Sequence, residues 1–153
     1  MVGEYAGRRS RRVVRGAARV NIRPLTNDDI ERLQQLAREA EAEGFRFVTR
    51  FLGDVAEHRA ILNSEREAFL GAVEDGVLVG FGGVTSDPYI DEPNTGRVRH
   101  LYVAPAARRH GLGRALVRAL EARARLVYRR LRLRTHTDAA ARFYEQIGYA
   151  VTG

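Results

Sequence analysis

The sequence predicts a mixed α/β domain of the α+β kind, a single domain with one mostly antiparallel central sheet and helices on both faces. Three observations predict it. The hydrophobic period switches between two residues and 3.6 residues in the order β-α-α-β-β-β-α-β-α-β. An Asp75-Gly76 pair separates two β-rich runs, as a tight hairpin requires. The length of 153 residues, 44% hydrophobic, suits one core in one domain.

Each element has its own signal. "RVNIRPLT" (Arg19 to Thr26) alternates apolar and basic residues and reads as the first strand. In the next segment Thr26 or Asn27 can cap a helix, and Asp28 and Asp29 suit its positive start. Ile30, Leu33, Leu36, Ala37 and Ala40 form one face, and Gly44 stops the helix. "DVAEHRAILNSER" (Asp54 to Arg66) reads as a second helix with Asp54 as its cap. The hairpin around Asp75-Gly76 follows, then the turn "EPNTG" and a strand over residues 97–105. A long helix is expected from about Gly111 to Arg129, with Leu112, Ala115, Leu116, Ala119 and Leu120 on one face. "RLRLRTH" alternates as a strand, "TDAAARFYEQIG" is a short capped helix ended by Gly148, and "YAVTG" starts one more strand.

Composition excludes several chemistries. Without cysteine there are no disulfides, thiolate metal sites or cysteine nucleophiles, and a reducing cytoplasm is the expected compartment. His58, His100, His110 and His136 include no i, i+4 pair, so no metal is expected. No apolar run has membrane length. Every basic residue is arginine, and the net charge of +7 is uneven. Residues 1–19 carry six arginines and one acid, whereas residues 20–153 carry twenty arginines against eighteen acids. The expectation is a solvated, disordered leader over 1–19, followed by one domain over 20–153. Such an arm is also the only feature that would dock on nucleic acid.

The chemistry concentrates in "RHLYVAPAARRHGLGRALVRAL", where a strand, a basic glycine turn and a helix follow one another. Gly111 and Gly113 let backbone approach a ligand, the helix start offers unpaired N–H groups, and Arg108, Arg109 and Arg114 add charge for phosphate oxygens. A P-loop fails, because the chain has no lysine to reach the phosphates. The dinucleotide fingerprint G-x-G-x-x-G/A fails too, because Leu116 stands at its last position. Arg108-Arg109-His110-Gly111-Leu112-Gly113 meets R/Q-x-x-G-x-G/A, the acetyl-coenzyme A motif, at every defined position.

With "LYVAP" before this motif and "AARFYEQIGY" after it, the chain resembles the GNAT superfamily of N-acetyltransferases from about Val20 onward. The resemblance implies that the strand through Tyr102 bulges and splays from the next one, with coenzyme A in the gap as a cosubstrate. Main chain at Leu101, Tyr102 and Val103 would then pair with the pantetheine arm, and the N–H near Val103 would polarise the thioester carbonyl. The backbone N–H groups from Arg109 through His110, Gly111, Leu112 and Gly113 to Arg114 would hold the pyrophosphate, and Arg108 belongs to the same coenzyme A-binding set. Asp138, Ala141 and Tyr144 of the last helix would face coenzyme A. The implied reaction is direct transfer of an acetyl group to a primary amine of a small molecule or protein. Tyr144 matches the family tyrosine that protonates the departing sulfur, and a phenol is protonated at neutral pH.

The base is less defined. Arg99 stands where many relatives carry an acid, and it cannot accept a proton. His100 is adjacent and titrates in the right range, so it is the candidate; Glu39 or Glu43 acting through water is the alternative. Strand alternation sends Arg99 and His100 to opposite faces unless a bulge intervenes. Asp138 replaces a common asparagine, and as a helix cap it needs no ligand. The stretch from Arg46 to Arg59 is expected to form one wall of the acceptor pocket, where Arg46, Arg50 and Arg59 either favour an acidic acceptor or are solvated surface. The implied fold closes with a C-terminal hairpin, but "YAVTG" supplies one short strand at most. The closing hairpin is therefore expected to be incomplete, either because the chain is truncated or because a second subunit of a homodimer supplies the strand, and in both cases a sheet edge is left open. The competing class is a non-catalytic module that binds acetyl-coenzyme A or docks on nucleic acid.

Overall fold

The computed structural model describes residues 2–3, 13–15, 18–58, 62–87, 92 and 94–151. Its strands are β1 (Val2–Gly3), β2 (Val13–Arg15), β3 (Ala18–Pro24), β4 (Ala68–Glu74), β5 (Val77–Ser86), β6 (Thr95–Val103) and β7 (Arg130–Arg132). The helices are α1 (Ile30–Ala42), α2 (Phe47–Ala56), α3 (Leu112–Ala124) and α4 (Asp138–Gln146). One seven-stranded sheet runs in the order β1-β7-β6-β5-β4-β3-β2. Every pairing is antiparallel except β6 with β7, which are parallel and joined through α3.

Local chemistry explains the central strands. The β4–β5 hairpin turns on Asp75 and Gly76, both at positive φ (50° and 82°), the geometry that matches strand twist. The Asp75 carboxylate also accepts from the Arg19 N–H at 3.0 Å, tying β3 to the turn. Arg23 and Asp29 form a two-point ion pair at 2.8 Å, fixing the end of β3 to the start of α1.

Two cores sandwich the sheet. Leu33, Leu36, Val48 and Phe51 of α1 and α2 pack on Phe69, Phe81 and Tyr102. On the other face, Leu116 and Leu120 of α3 and Tyr144 of α4 pack on Ala72, Val84, Val98 and Leu131. Helices on both faces of a mostly antiparallel sheet are the arrangement expected for this chain.

Four expectations need correction or limits. The second helix begins at Phe47 and ends at Ala56, so Asp54 lies in its last turn and does not cap it. Phe47, Val48, Phe51 and Val55 supply a helical apolar stripe on which α2 packs over the sheet, so the helix forms upstream of Asp54. The strand after α3 spans Arg130–Arg132 and stops short of His136. Two pieces of the arginine-rich leader, Val2–Gly3 and Val13–Arg15, are strands at the two sheet edges, where alternate backbone groups find partners. The rest of 1–17 lies outside the described residues. After α4 only Ala150 takes part in a β-bridge, so "YAVTG" forms no strand through Val151; residues 152–153 lie outside the described ones.

Candidate active site

The site begins with a defect in β6. Gly83 pairs with Arg99 and Phe81 with Tyr102, so His100 and Leu101 together oppose Gly82. This is a β-bulge, and His100 sits in it at φ 60°. The extra residue turns His100 toward α2, where it stacks among Phe47, Phe51 and Phe69 at centroid distances of 6.4, 5.1 and 6.3 Å. Alternation alone sends Arg99 and His100 apart; with the bulge, both line one cavity.

The second feature is a splay. β7 pairs with β6 only at Thr95, Gly96 and Arg97. Beyond Arg97 the two strands diverge, and a cavity of about 440 Å³ opens between them. Its walls come from both faces of the sheet. Phe45, Phe47, Arg50 and Asp54 line the side of α2, and Leu101, Tyr102 and Val103 are the bulged strand. Leu133 to Thr137, Ala140 and Tyr144 close the far side. The volume lies within the range of small-molecule sites.

Tyr144 is buried in this wall, and its ring packs edge-on against Phe143 and Tyr149 at 5.0 and 5.6 Å. Burial pushes its hydroxyl well above the ordinary phenol value, so the group stays protonated. Tyr102, Tyr128 and Tyr149 spend their hydroxyls on Glu43, the Arg66 carbonyl and Glu121. Among the described residues, Tyr144 makes no such bond. A clamp behind it fixes α4. Buried Glu121 accepts from Arg118 at 2.8 Å and from the Tyr149 hydroxyl at 3.3 Å, and Arg118 also donates to the Ile147 carbonyl at 2.8 Å.

Beside the cavity, the turn into α3 places Arg109 and Gly111 at positive φ (65° and 77°). Gly111 is the residue before α3, and no side chain caps this helix start. Its first N–H groups are thus left for an external acceptor, as an anion cradle requires. Leu112 is buried with Val20 and Ala107, so only its backbone can serve a ligand. A Cβ on Gly113 would stand 3.4 Å from Phe143, an ordinary contact, so the packing against α4 would accept an alanine here, as the G/A of the motif allows. His110 meets Glu74 at 3.3 Å, and Arg114 is exposed.

Arg108 points elsewhere. Its guanidinium holds Glu43 at the end of α1, and its Nε donates to the Val103 carbonyl at 2.9 Å. Hydrogen bonding from Arg108, opposed by burial and helped by Tyr102, holds the Glu43 carboxyl below its usual range. Glu43 is therefore a poor proton acceptor, and Glu39 is exposed and outside the cavity wall. The His100 imidazole is pushed down to about 4, first by burial and then by the Arg99 and Arg97 charges, against the opposing pull of Asp54.

Of the residues expected to meet coenzyme A, Leu101, Tyr102, Val103, Arg108 and Tyr144 line the cavity, as does His100. Arg109 to Arg114 form the adjoining turn and helix start, and Asp138 and Ala141 lie in α4 outside the cavity wall. Thr137 caps α4, accepting from the Ala140 N–H at 3.2 Å, and Asp138 follows in the first turn. Arg50 lines the cavity, Arg46 precedes α2 as an exposed residue, and Arg59 lies outside the described residues. Phe47, Arg50 and Asp54 come from the stretch expected to form one wall, whereas Arg134 and His136 are lining residues that sequence reasoning missed; nothing in the sequence marks where β7 ends. Among the described residues no cluster of three metal-ligating side chains occurs, and no helix is long and apolar enough to cross a membrane.

A family model described as "Acetyltransferase (GNAT) family" matches residues 30–149. The N-alpha-acetyltransferase RimI of Mycobacterium tuberculosis is 33% identical over 144 residues, covering 88% of this chain and 80% of that protein. A crystal structure from Exiguobacterium sp. 255-15 superimposes with a TM-score of 0.76 at 30% identity, covering 88% of this chain and 87% of that one. The PaiA N-acetyltransferase of Thermoplasma acidophilum, solved in complex with coenzyme A, shares the fold with a TM-score of 0.63 at 24% identity, over 87% of this chain and 91% of that one. With the match running from α1 through α4, the chain belongs to the GNAT acetyltransferase family, a family of acyltransferase enzymes.

Proposed function

We propose that the protein is an acetyl-coenzyme A-dependent N-acetyltransferase that moves the acetyl group to a primary amine by direct attack. One observation carries the reading. The splay between β6 and β7 joins a bulged strand, a buried tyrosine whose hydroxyl has no hydrogen-bond partner among the described residues and, beside it, an uncapped helix start. A thioester arm needs the strand edge, its pyrophosphate needs the helix start, and its leaving sulfur needs a proton donor.

The residues divide the work as follows. Backbone N–H groups from Arg109 to Arg114 hold the pyrophosphate, with Gly111 supplying the left-handed turn. Main chain of Leu101 to Val103 aligns the pantetheine arm and polarises the thioester carbonyl. The amine nitrogen attacks the carbonyl carbon, a tetrahedral oxyanion forms, and the carbon–sulfur bond breaks. Tyr144 gives its proton to the departing thiolate, while the nitrogen loses a proton to water in the cavity. An imidazole held down to about 4 is neutral at pH 7 and a weak base for an ammonium, so His100 serves the shape of the bulge. Arg108 anchors the turn to Glu43 instead of meeting phosphate with its side chain.

Isothermal titration with acetyl-coenzyme A tests the reading, with coenzyme A for comparison and thiol release in the presence of amines as the second readout. Saturable binding, abolished in an Arg109→Glu, Gly111→Glu double variant that keeps its circular dichroism, is the expected result. A folded protein that binds neither compound overturns it.

A further inference from the structure

The α2 side of the cavity has a charge pattern that the chemistry above does not use. Arg50, on α2, is exposed, and Arg99 and Arg97, on β6 around the bulge, are half-buried. Among the described residues Asp54 is the one carboxylate that lines the cavity, and of the arginines there Arg108 is already held by Glu43. The neighbouring His100 is held down first by burial and then by the charge of Arg99, which exceeds the opposing pull of Asp54, with Arg97 adding a smaller push. The lining is otherwise apolar or neutral on this side: Phe45, Phe47 and unprotonated His100. An acceptor here lies against aromatic rings with guanidinium groups beyond them. A polycationic amine would meet like charge in a partly desolvated site, whereas a carboxylate would find donors that match it in two-point geometry.

We propose that the acceptor is a primary amine that also bears a carboxylate, with Arg50 and Arg99 recognising that carboxylate while the amine faces the bulged strand. The proposal rests on the acetyltransferase reading of the same cavity. Its size, about 440 Å³ shared with the thioester end of the donor, limits the buried part of the acceptor to an amino acid or the first residues of a peptide. The shared chemistry covers a free amino acid and an acidic peptide N-terminus alike.

The test compares matched acceptors at constant acetyl-coenzyme A: aspartate and glutamate, their side-chain amides, short peptides beginning with Asp or Asn, and spermidine. Acids are expected to exceed their amides in kcat/KM by about tenfold or more, the factor that one charge-assisted hydrogen bond carries, mostly through KM. Arg99→Gln should collapse the acid-to-amide ratio. Arg50→Gln, a change at an exposed helix position with no effect expected on folding, should shrink it. An Arg50→Glu, Arg99→Glu protein should reverse the order in favour of spermidine. Free amino acids turning over and peptides failing assigns a small-molecule acceptor; the opposite result assigns a peptide end, and either supports the proposal. Amides or spermidine matching the acids overturns it while acetyl-coenzyme A still binds by titration. Loss of that binding in the unaltered protein overturns the acetyltransferase reading, and the proposal falls with it.

Discussion

Arg108 and Glu43 join the motif turn to the end of α1: two guanidinium nitrogens reach the carboxylate while the third, Nε, donates to the Val103 carbonyl at 2.9 Å. Tyr102 donates its hydroxyl to the same carboxylate at 2.8 Å, and Arg108 lies 5.6 Å over the Tyr102 ring. The end of the bulged strand and the start of the cradle are thus referenced to one acid. Both side chains remain partly exposed, at 41% for Arg108 and 25% for Glu43, so solvent screens their attraction. Glu43→Gln should lower stability by only about 1 kcal/mol. Its larger effect should be functional, because Arg108 is freed to reorient and the turn loses its reference. Titration should show acetyl-coenzyme A binding weakened by about tenfold, roughly the value of one charged two-point contact. Unchanged affinity would mean that the turn holds its shape without this pair.

Tyr144 offers the sharpest separation of binding from chemistry. Its ring is packed by Phe143 and Tyr149, which Tyr144→Phe preserves, so the fold should tolerate the change. Removing the hydroxyl should lower kcat by about a hundredfold or more, the usual scale for a positioned proton donor, and leave acetyl-coenzyme A affinity within error. Stopped-flow thiol detection checks the first and calorimetry the second. A kcat close to that of the unaltered protein would remove Tyr144 from the proton path.

The motif turn, the hairpin at Asp75-Gly76 and α1 were legible in the sequence because each rests on local chemistry: positive-φ residues, caps and a helical stripe. The two features that make the cavity were not legible from local chemistry alone. The His100 bulge depends on Phe47, Phe51 and Phe69, two from α2 and one from β4, which accept a ring on a face that alternation denies it. The splay depends on where β7 stops pairing, and "RLRLRTH" alternates without interruption through that point. Glu121 was invisible for a similar reason. A glutamate on a helix reads as surface, and only Tyr149 and Arg118, brought from other turns, make its burial tolerable. The hold of the Arg108 side chain on Glu43, distant in sequence, is likewise a contact that the motif does not signal.

His100 should make stability depend on pH. Its ordinary value is 6.5 and its folded value about 4, so the unfolded chain binds the proton more readily. A depressed folded value contributes stability that is complete above pH 6.5 and is lost as the pH falls toward 4. Between pH 7 and pH 5 that loss amounts to about 2 kcal/mol. Urea titrations at the two pH values should show it in the unaltered protein and not in His100→Gln, whose packing loss is the same at both. Equal pH dependence in both proteins would remove His100 as its source; Asp29 and Glu43, whose depressed values act in a more acidic window, do not supply it between pH 7 and pH 5.

The same substitution at two glycines should have opposite signs. Gly83 lies opposite Arg99 at the foot of the bulge, and a Cβ there would drive into the ring of Phe69. Phe69 is almost fully buried, against Phe51 at 4.8 Å and His100 at 6.3 Å, so it has no free volume to retreat into. Gly83→Ala should destabilise by about 2–3 kcal/mol, the scale of overpacking, and the displaced ring should disturb His100. Gly53, inside α2, has nothing within 4 Å of an added Cβ and no left-handed φ. Gly53→Ala should therefore stabilise by about 1 kcal/mol through helix propensity and the less flexible unfolded chain. Thermal unfolding of the pair gives the comparison, and turnover gives the consequence. If Gly83→Ala unfolds earlier yet turns over normally, the aromatic support of the bulge is dispensable for the reaction; if turnover falls together with stability while Gly53→Ala keeps full activity, the shape of β6 at His100 sets the site.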